Sequence, residues 1–580
     1  MKIFFTIIVI GVLSIIATTK TWAQDKPNVI VILTDDQGYG DISAHGNPVL
    51  KTPEMDKLYS QSVRFTDFHV ASKCTPTRGQ LMTGIDAMRN GATRVCQGLS
   101  LVRNEHKMMP KYFADSGYAT GMFGKWHLGD SYPHPPRFRG FQEVLSFRAW
   151  GITSLADYWG NRYFDPTLMH NGVDKKYKGF CTDIFFDEAM NWMKSCQDEK
   201  KPFFVYIPTN TPHAPDDSPK KFQAPYKGKY KGIPMHTGYY SQVANIDENI
   251  GRLEAFLKES GLRDNSILLF LSDNGTRSSS AMKIFNAGMN NKKGSNQEGG
   301  HRVHLFVRWV DGKLQHGTDI SELTIVQDLL PTLADLCGLK GDVSKLDGVS
   351  IAGLLKGSKK KLEERICVSQ FGEKCEKWDN TVVMKDKWRL YRYRNSLALF
   401  DVSEDPHQDK NVSKQFPEIT KQLSGHYDKW YADAYSEWNK TRYLIIGTDY
   451  QNPVTLYASD WVGEYCDTRH DLINKKAKGF WNLIVDRDAE YEIELRRWPE
   501  ESGKTMIEGY RANKKLGALP IGKAQLLIAG HDKTIDVKSQ DTVAKFSANL
   551  KKGTTKLTAN FLDKSGELIA CATYVKVTRK

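Results

Sequence analysis

Residues 28–36 read NVIVILTDD, an unbroken run of apolar and mostly β-branched residues that ends in two aspartates. Such a run is typical of a β-strand that is buried on both faces of a sheet. FFVYI at 203–207 and ILLFL at 267–271 have the same character. Apolar residues at helical spacing lie between them at 239–257, and Thr52-Pro53 is a typical helix start. Alternating buried strands and helices predict an α/β fold with a doubly wound, mostly parallel sheet.

The character of the sequence changes toward the C-terminus. Residues 381–393, TVVMKDKWRLYRY, predict a hairpin that turns at Lys385-Asp386, and 397–402 predict another short strand. From about residue 479, alternating runs predict a small antiparallel sandwich; they lie at 489–497, 524–529, 543–550 and 557–561. We therefore predict a catalytic α/β domain over 24–365, a small antiparallel subdomain over 366–445, and a linker with an accessory β-sandwich over 446–580.

The first 23 residues predict a secretory signal, with Lys2, an apolar run at 3–16 and a cleavage site at Thr21-Trp22-Ala23. The apolar run is shorter than the ~20 residues that span a bilayer. We expect an exported protein, periplasmic or extracellular, with no membrane span after cleavage.

The 580-residue chain carries a formal net charge of +13, which would attract an anionic substrate, although scattered surface lysines account for such an excess equally well. No stripe of basic and aromatic residues predicts nucleic-acid binding. Nine cysteines without a C-x-x-C pair disfavour a structural zinc site or a thioredoxin-type centre. Export permits disulfides, and Cys181 with Cys196 is one pairing that the sequence allows.

Two acidic pairs follow predicted strands. Asp35-Asp36 ends the first run, and Asp273-Asn274-Gly275 ends the run at 267–271. Ligands of parallel sheets gather at the carboxyl ends of strands, and oxygen donors without His or Cys suit Ca²⁺ or Mg²⁺ better than zinc. Either pair alone is equally typical of an ordinary turn.

The run Cys74-Thr75-Pro76-Thr77-Arg78 predicts a helix start, because Pro is tolerated in the first turn. Cys74 would then lie at a helix N-terminus, where anions bind, with Arg78 near it as a fixed cation. A cysteine there can also be a small buried apolar residue, or a thiolate nucleophile activated by His127 or His213.

Three further segments carry candidate basic groups. Gly124–Gly129 reads GKWHLG and would place Lys125 and His127 on one side if it is extended. His213 lies in TPHAP after the strand at 203–207, and Lys293 lies five residues before Glu298-Gly299-Gly300. Each segment alone is compatible with a surface lysine, a loop histidine or turn glycines.

Together these motifs resemble those of the type I sulfatases of the alkaline phosphatase superfamily, over residues 28–440. CTPTR is similar to that family's C-x-P-x-R modification motif, and GKWHLG, SDNG, TPHAP and K-x-x-x-x-EGG are similar to its other motifs. The resemblance implies an alkaline phosphatase-like mixed sheet with a small antiparallel C-terminal subdomain. His304 stands where the family usually has a proline.

The resemblance implies that Cys74 is oxidised to formylglycine by a maturation enzyme, and that the hydrate of this aldehyde attacks sulfur. A second hydroxyl on the hydrate then allows sulfate to leave and the aldehyde to reform. It further implies that Arg78 and His127 position and activate the hydrate, that Lys125, His213 and Lys293 hold the sulfate, and that His213 or Lys293 assists the leaving oxygen. The implied ligands of a divalent cation, Ca²⁺ before Mg²⁺, are Asp35, Asp36, Asp273, Asn274 and the modified Cys74.

The resemblance extends to bacterial polysaccharide sulfatases and implies a sulfated carbohydrate or a small sulfate ester as substrate. Residues 131–178, rich in Trp, Tyr, His and Arg, are expected to contact it. Two alternatives remain: a phosphonate or phosphodiester hydrolase of the same superfamily, and an inactive glycan-binding homologue. The intact set of nucleophile and metal ligands argues against the inactive homologue.

Overall fold

The computed structural model describes residues 26–510 and 516–580, so the predicted signal segment 1–23 lies outside the described residues. A large mixed sheet forms the core of the N-terminal part, and antiparallel sheets follow toward the C-terminus. This arrangement confirms the predicted α/β fold class. Within the described residues, no helix is both long and apolar enough to cross a membrane.

The large sheet is parallel at its centre and has antiparallel pairs on either side, and the edge strands β12 and β13 run parallel to β2. β1 pairs in parallel with both β10 and β7, and β3 continues the parallel part. The strand order is β12-β2-β11-β10-β1-β7-β3-β4-β5-β6, with β13 also on β2. Its strands are β1 (Asn28–Thr34), β2 (Val63–His69), β3 (Ala119–Lys125), β4 (Glu143–Phe147), β5 (Thr167–His170), β6 (Val173–Lys176), β7 (Phe203–Pro208), β10 (Ser266–Ser272), β11 (Arg302–Arg308), β12 (Asp319–Ile320) and β13 (Thr324–Ile325); β8 (Lys229–Tyr230) and β9 (Ile233–Pro234) form a separate ribbon.

Helices cover both faces of this sheet. Side chains of a strand alternate between faces, so Val29 and Val31 of β1 enter one hydrophobic cluster while Ile30 and Ile32 enter another. This explains why the strand is apolar at every position from Val29 to Leu33. The helices are α1 (Pro53–Ser60), α2 (Cys74–Thr83), α3 (Ala87–Asn90), α4 (Met109–Asp115), α5 (Cys181–Asp198), α6 (Thr237–Glu259), α7 (Ser279–Ile284), α8 (Glu298–His301), α9 (Leu329–Cys337), α10 (Ala352–Leu355), α11 (Pro417–Trp438) and α12 (Arg469–Asn474).

A four-stranded antiparallel sheet follows, with α11 packed against it. The predicted hairpin is present, and it turns between Lys385 and Trp388. The strands are β14 (Cys367–Gln370), β15 (Thr381–Lys385), β16 (Trp388–Tyr393) and β17 (Ser396–Asp401).

Two sheets make up the C-terminal region and enclose a common hydrophobic cluster. One sheet has the order β18-β21-β26-β23-β24, with β20 on β21 and β27 on β26, and the other has the order β19-β28-β22-β25. The region is antiparallel as predicted, except that β18 runs parallel to β21. The strands are β18 (Leu444–Ile446), β19 (Val454–Tyr457), β20 (Val462–Gly463), β21 (Gly479–Val485), β22 (Ala489–Arg496), β23 (Lys523–Ile528), β24 (His531–Asp536), β25 (Ala544–Leu550), β26 (Gly553–Leu562), β27 (Leu568–Cys571) and β28 (Tyr574–Arg579).

Two details differ from what the sequence allowed. Cys181 and Cys196 lie in the same helix, α5, where 15 residues separate them by roughly 22 Å of helix axis, so they cannot pair. All nine cysteines are free and buried. His304 lies within the central strand β11 and packs on Phe270 with ring centroids 4.5 Å apart. It therefore fills the core.

Candidate active site

Four of the predicted metal ligands lie at the ends of two neighbouring parallel strands. β1 and β10 pair in register, with Thr34 opposite Ser272, so the residues that follow them meet at one edge of the sheet. The backbone N–H of Asp36 donates to Asp273 Oδ1 at 3.1 Å and ties the two strand ends together. Asp35 and Asn274 are fully buried beside them.

Cys74 is the first residue of α2 and is only 2% exposed. Ligand atoms of Cys74, Asp35 and Asp273 all lie within 4.8 Å of one another. The unpaired backbone N–H groups of the first turn of a helix favour negative charge. A nucleophile at position 74 would therefore lie between a helix N-terminus and the carboxylates at the sheet edge.

Three cationic side chains pair with the three carboxylates at this edge. The formal charges cancel, since each carboxylate has one cation. The paired atoms are Arg78 Nε and Nη2 with Asp273 Oδ2 at 3.0 and 2.7 Å, Lys125 Nζ with Asp35 Oδ2 at 2.6 Å, and Lys293 Nζ with Asp36 Oδ1 at 2.5 Å.

These pairs shift the ionisation of their members. Burial raises the pKa of Asp36, but Lys293, His213 and Lys125 together outweigh burial and hold that pKa well below its usual range. Burial lowers the pKa of Lys293, yet Asp36, with Cys74, Asp35 and Asp273, more than compensates and the net shift is upward. Burial and the neighbouring Asp35 raise the pKa of Asp273 to about 6, in spite of Arg78. Additional positive charge nearby would favour the ionised form of Asp273.

Three acceptor oxygens at the sheet edge have no hydrogen-bond donor: Asp35 Oδ1, Asp36 Oδ2 and Asn274 Oδ1 are buried and unpartnered. Leaving such an atom unpaired costs roughly 1–3 kcal/mol. Oxygen donors of this kind suit Ca²⁺ or Mg²⁺. A divalent cation would also change the charge of the paired groups from zero to +2, which would favour a bound anion.

Two histidines of the site are held in their neutral form. His127 Nε2 lies 3.0 Å from the carbonyl oxygen of Val95, so Nε2 carries the proton and the buried, unpartnered Nδ1 carries a lone pair. Burial, Lys125 and Arg78 lower the pKa of His127 well below its usual value. Burial lowers the pKa of His213 to about 3, although Asp36, 3.8 Å from its Nε2, raises it.

The backbone at His127 is not extended, although an extended segment was the condition for Lys125 and His127 to lie on one side. β3 ends at Lys125, and His127 has a φ of 62°, in the left-handed region. Lys125 therefore ends the strand, His127 lies in the turn that follows, and the hydrogen bond to Val95 fixes the imidazole. Arg78 Nη1 donates to the Lys125 carbonyl oxygen at 2.9 Å, which links this turn to α2.

A buried polar network that the sequence did not reveal anchors the segment that carries Lys293. Glu298 Oε1 accepts from Arg389 Nε of β16 at 2.9 Å, and Arg389 Nη2 donates to Asp67 Oδ1 at 2.7 Å. His69 Nε2 lies 2.9 Å from Asp67 Oδ1, and its Nδ1 lies 2.9 Å from His301 Nδ1. Burial raises the pKa of Glu298, but Arg389 and His69 outweigh it and lower the pKa to about 2.

His69, Glu298 and His301 have ligand atoms close enough to hold a metal. However, the Arg389 guanidinium already pairs with the Glu298 carboxylate, so the group is better described as a hydrogen-bonded anchor. Glu298 lies in the EGG motif, but Arg389 and Asp67 belong to no motif, and no local pattern in the sequence relates them.

A cavity of about 600 Å³ lies next to the segments that carry Cys74 and Lys293. Lys73 and Gly294, on its wall, are the sequence neighbours of Cys74 and Lys293, and Val95 on the same wall holds His127. The small sheet contributes residues 371–374, and the C-terminal region contributes Tyr465. Ligand sites in proteins commonly have this size, so the cavity can accept the body of a substrate next to the buried centre.

Known proteins are similar to this chain in sequence and in fold. The profile of the family described as Sulfatase matches residues 27–339. N-acetylgalactosamine-6-sulfatase of Rattus norvegicus is 26% identical over 381 residues, 59% of this chain and 68% of that protein. Arylsulfatase A of Homo sapiens is 27% identical over 434 residues, 69% of this chain and 81% of that protein.

Among solved structures, Ps i-CgsB in complex with k-i-k-neocarrahexaose is 28% identical, with a TM-score of 0.64 over 72% of this chain and 95% of that one. The phosphonate monoester hydrolase of Agrobacterium radiobacter is 18% identical, with a TM-score of 0.53 over 70% of this chain and 96% of that one. The latter similarity is one of fold alone.

Proposed function

The chain belongs to the sulfatase family and is a sulfuric ester hydrolase, and we propose that it removes sulfate from a sulfated carbohydrate. The observation that carries the proposal is the convergence of Cys74 with three carboxylates, each paired with a cation, in one buried place. The sugar named with Ps i-CgsB and the N-acetylgalactosamine in the name of the rat relative support a carbohydrate substrate.

We further propose that Cys74 is converted to formylglycine by a maturation enzyme and that Asp35, Asp36, Asp273 and Asn274, with residue 74, bind Ca²⁺. When present, these groups would supply an oxygen nucleophile and a fixed positive charge for the sulfate oxygens. The unpartnered oxygens of Asp35, Asp36 and Asn274 support this donor set. Mg²⁺ is the second choice for the same oxygens.

We assign each of the remaining site residues a separate role. The Nδ1 lone pair of His127 can accept a proton from residue 74, because Nε2 is committed to Val95 and the ring is neutral. Arg78 fixes Asp273 and the turn at Lys125. We assign Lys125, His213 and Lys293 to the sulfate, since positive charge close to the sulfate oxygens stabilises charge that grows in the transition state.

Export to the periplasm or beyond, by way of the segment 1–23, belongs to the same proposal. So does the division into 24–365, 366–445 and 446–580, with the last region as an accessory module.

The metal assignment predicts the behaviour of Asp273→Ala. The variant should lose bound Ca²⁺ and turnover together, because it removes a ligand and frees Arg78 from its partner. Metal content by mass spectrometry and turnover of nitrophenyl sulfate measure both. Active native enzyme that contains stoichiometric zinc and neither Ca²⁺ nor Mg²⁺ would contradict the assignment.

A competing function is hydrolysis of phosphonate monoesters or phosphate diesters. The purified enzyme should be offered nitrophenyl sulfate, the matched phosphate diester and a panel of sulfated mono- and oligosaccharides. We expect the sulfate ester to be preferred over the diester by a large factor in kcat/KM, and at least one saccharide to lose sulfate. Preference for the diester would favour the competing function, and binding of saccharides without release of sulfate would indicate an inactive homologue.

A further inference from the structure

Trp150 lies beside the proposed sulfate-binding histidine. Its ring centroid is 5.2 Å from that of His213, at an interplanar angle of 41°. The indole is only partly buried, whereas most of the surrounding site is fully buried. Its Nε1–H donates to the carbonyl oxygen of Asp467 at 3.1 Å. The polar atom of this side chain is thus satisfied, and the aromatic face is the part left for a ligand.

The turn that carries Trp150 is held in an unusual conformation. Ala149 and Thr153 have φ values of 52° and 88°, which side chains rarely adopt and which cost roughly 1–3 kcal/mol each. Buried carboxylates fix both positions, since the N–H of Ala149 donates to Asp130 and that of Thr153 donates to Asp157. A strained turn that the surrounding structure over-determines is common at functional sites.

The C-terminal region supports this turn from behind. The Asp467 carbonyl oxygen that accepts from Trp150 also accepts from the N–H of Leu155 at 3.0 Å. The hydroxyl of Tyr574 in β28 donates to the Leu155 carbonyl oxygen at 2.5 Å. Asp467 lies between β20 and α12, in the region that the sequence predicts to be an accessory module. This region therefore fixes the position of a side chain beside the catalytic centre.

We propose that Trp150 determines specificity: its indole face packs against a pyranose ring of the substrate whose sulfate lies at Lys125, His213 and Lys293, and Asp467 and Tyr574 hold its turn in place. The inference rests on the proposed function and names the group that receives the sugar. A rigid aromatic side chain offers a large apolar contact at a small entropic cost. The apolar C–H face of a sugar fits such a surface, while its hydroxyls remain free for polar groups.

The test compares Trp150→Ala and Trp150→Phe with the wild type on the best saccharide from the panel. Packing against the sugar contributes equally to ground and transition states, so KM rather than kcat should change. We expect Trp150→Ala to raise KM about tenfold with kcat changed less than about threefold. Trp150→Phe should keep most of the affinity, and the inhibition constant of inorganic sulfate should be unchanged in both variants.

Trp159→Ala is the matched control. Trp159 belongs to the same loop but packs on Trp498, Tyr510 and Arg469, so its loss should lower the melting temperature and leave KM unchanged. An unchanged KM in Trp150→Ala, or an equal fall in kcat on the saccharide and on nitrophenyl sulfate, would overturn the inference, because Trp150 would then only support His213. A wild-type enzyme that cleaves nitrophenyl sulfate and no saccharide would overturn the proposed substrate and the inference with it.

Discussion

At the scale of residues, buried carboxylates in this protein are stabilised in two different ways. Asp35, Asp36 and Asp273 at the sheet edge each have a cationic partner. Asp460 accepts from the backbone N–H groups of Asp130 and Ser131, but the Asp130 carboxylate disfavours its charged form. Burial and that neighbour raise the pKa of Asp460 to about 7. In the first kind a cationic partner opposes the effect of burial, whereas the charged neighbour of Asp460 adds to it.

Asp460 therefore makes stability depend on pH. The folded state binds a proton that the unfolded state has lost above about pH 4, so the stabilising effect of this proton shrinks as pH rises toward 7. Asp460→Asn removes the group and keeps an acceptor for the two N–H groups. We expect the melting temperature of the variant, relative to wild type, to rise between pH 5 and pH 8. A difference that is equal at both pH values would show that Asp460 does not titrate in this range.

At the scale of elements, the position of Lys293 depends on contacts between segments far apart in sequence. Gly275 lies so close to the EGG segment that a Cβ atom there would be 1.8 Å from the Gly299 carbonyl oxygen. Arg389 then ties Glu298 to the small sheet. The segment with Lys293 is thus fixed against the proposed metal ligands on one side and against β16 on the other.

Arg389→Met should disturb the candidate active site although Arg389 is not one of the proposed catalytic residues. The variant removes the closest hydrogen-bonded cation of the buried Glu298 carboxylate and leaves its charge under-compensated, with Arg302 Nη1 at 3.5 Å; loss of such a partner costs up to about 3–5 kcal/mol. We expect a lower melting temperature and a fall in kcat/KM of at least about tenfold, and partial recovery when Glu298→Gln is added, because the unpaired charge is then gone. Arg392→Met, at an exposed position of the same strand, is the control and should behave as wild type. Normal kinetics in Arg389→Met would contradict this role.

The elements and motifs were predictable because their patterns are local. β1 has the predicted bounds, the hairpin of β15 and β16 turns where predicted, and α2 begins at Cys74. The convergence of Asp35 with Asp273 followed from parallel strand order. The contact of Arg389 with Glu298 was not predictable, since it joins α8 to β16 across 91 residues. The turn at His127 was missed because a hydrogen bond to Val95 holds it in a conformation that its residue type does not favour.

At the scale of the whole molecule, the C-terminal region shares its hydrophobic core with the catalytic part. Leu101, Tyr132 and Leu155 belong to the same cluster as the buried residues of β19 and β28. The two parts also exchange hydrogen bonds, such as that from the Ile445 N–H to the Tyr132 carbonyl oxygen at 2.9 Å. A region attached in this way stabilises the catalytic part and is not an independently tethered domain.

A chain that ends at residue 445 should therefore fail as an enzyme. It would expose the apolar side chains of the shared cluster and release the turn that holds Trp150. We expect most of it to be insoluble, and the soluble fraction to have a lower melting temperature and a higher KM for saccharides. The measurement compares the soluble yield and the kinetics of the truncated protein with those of the full chain. A truncated protein with full yield and full activity would show that the region is independent.

The central claim is that Cys74 becomes the nucleophile through oxidation to formylglycine. Peptide mapping by mass spectrometry of active, full-length enzyme tests it most directly. The account predicts an aldehyde at position 74, with the cysteine sulfur replaced by oxygen, and a folded but inactive Cys74→Ala variant, because covalent catalysis cannot be replaced by binding alone. Full activity from protein in which only unmodified Cys74 is found would contradict it and would indicate a thiolate mechanism.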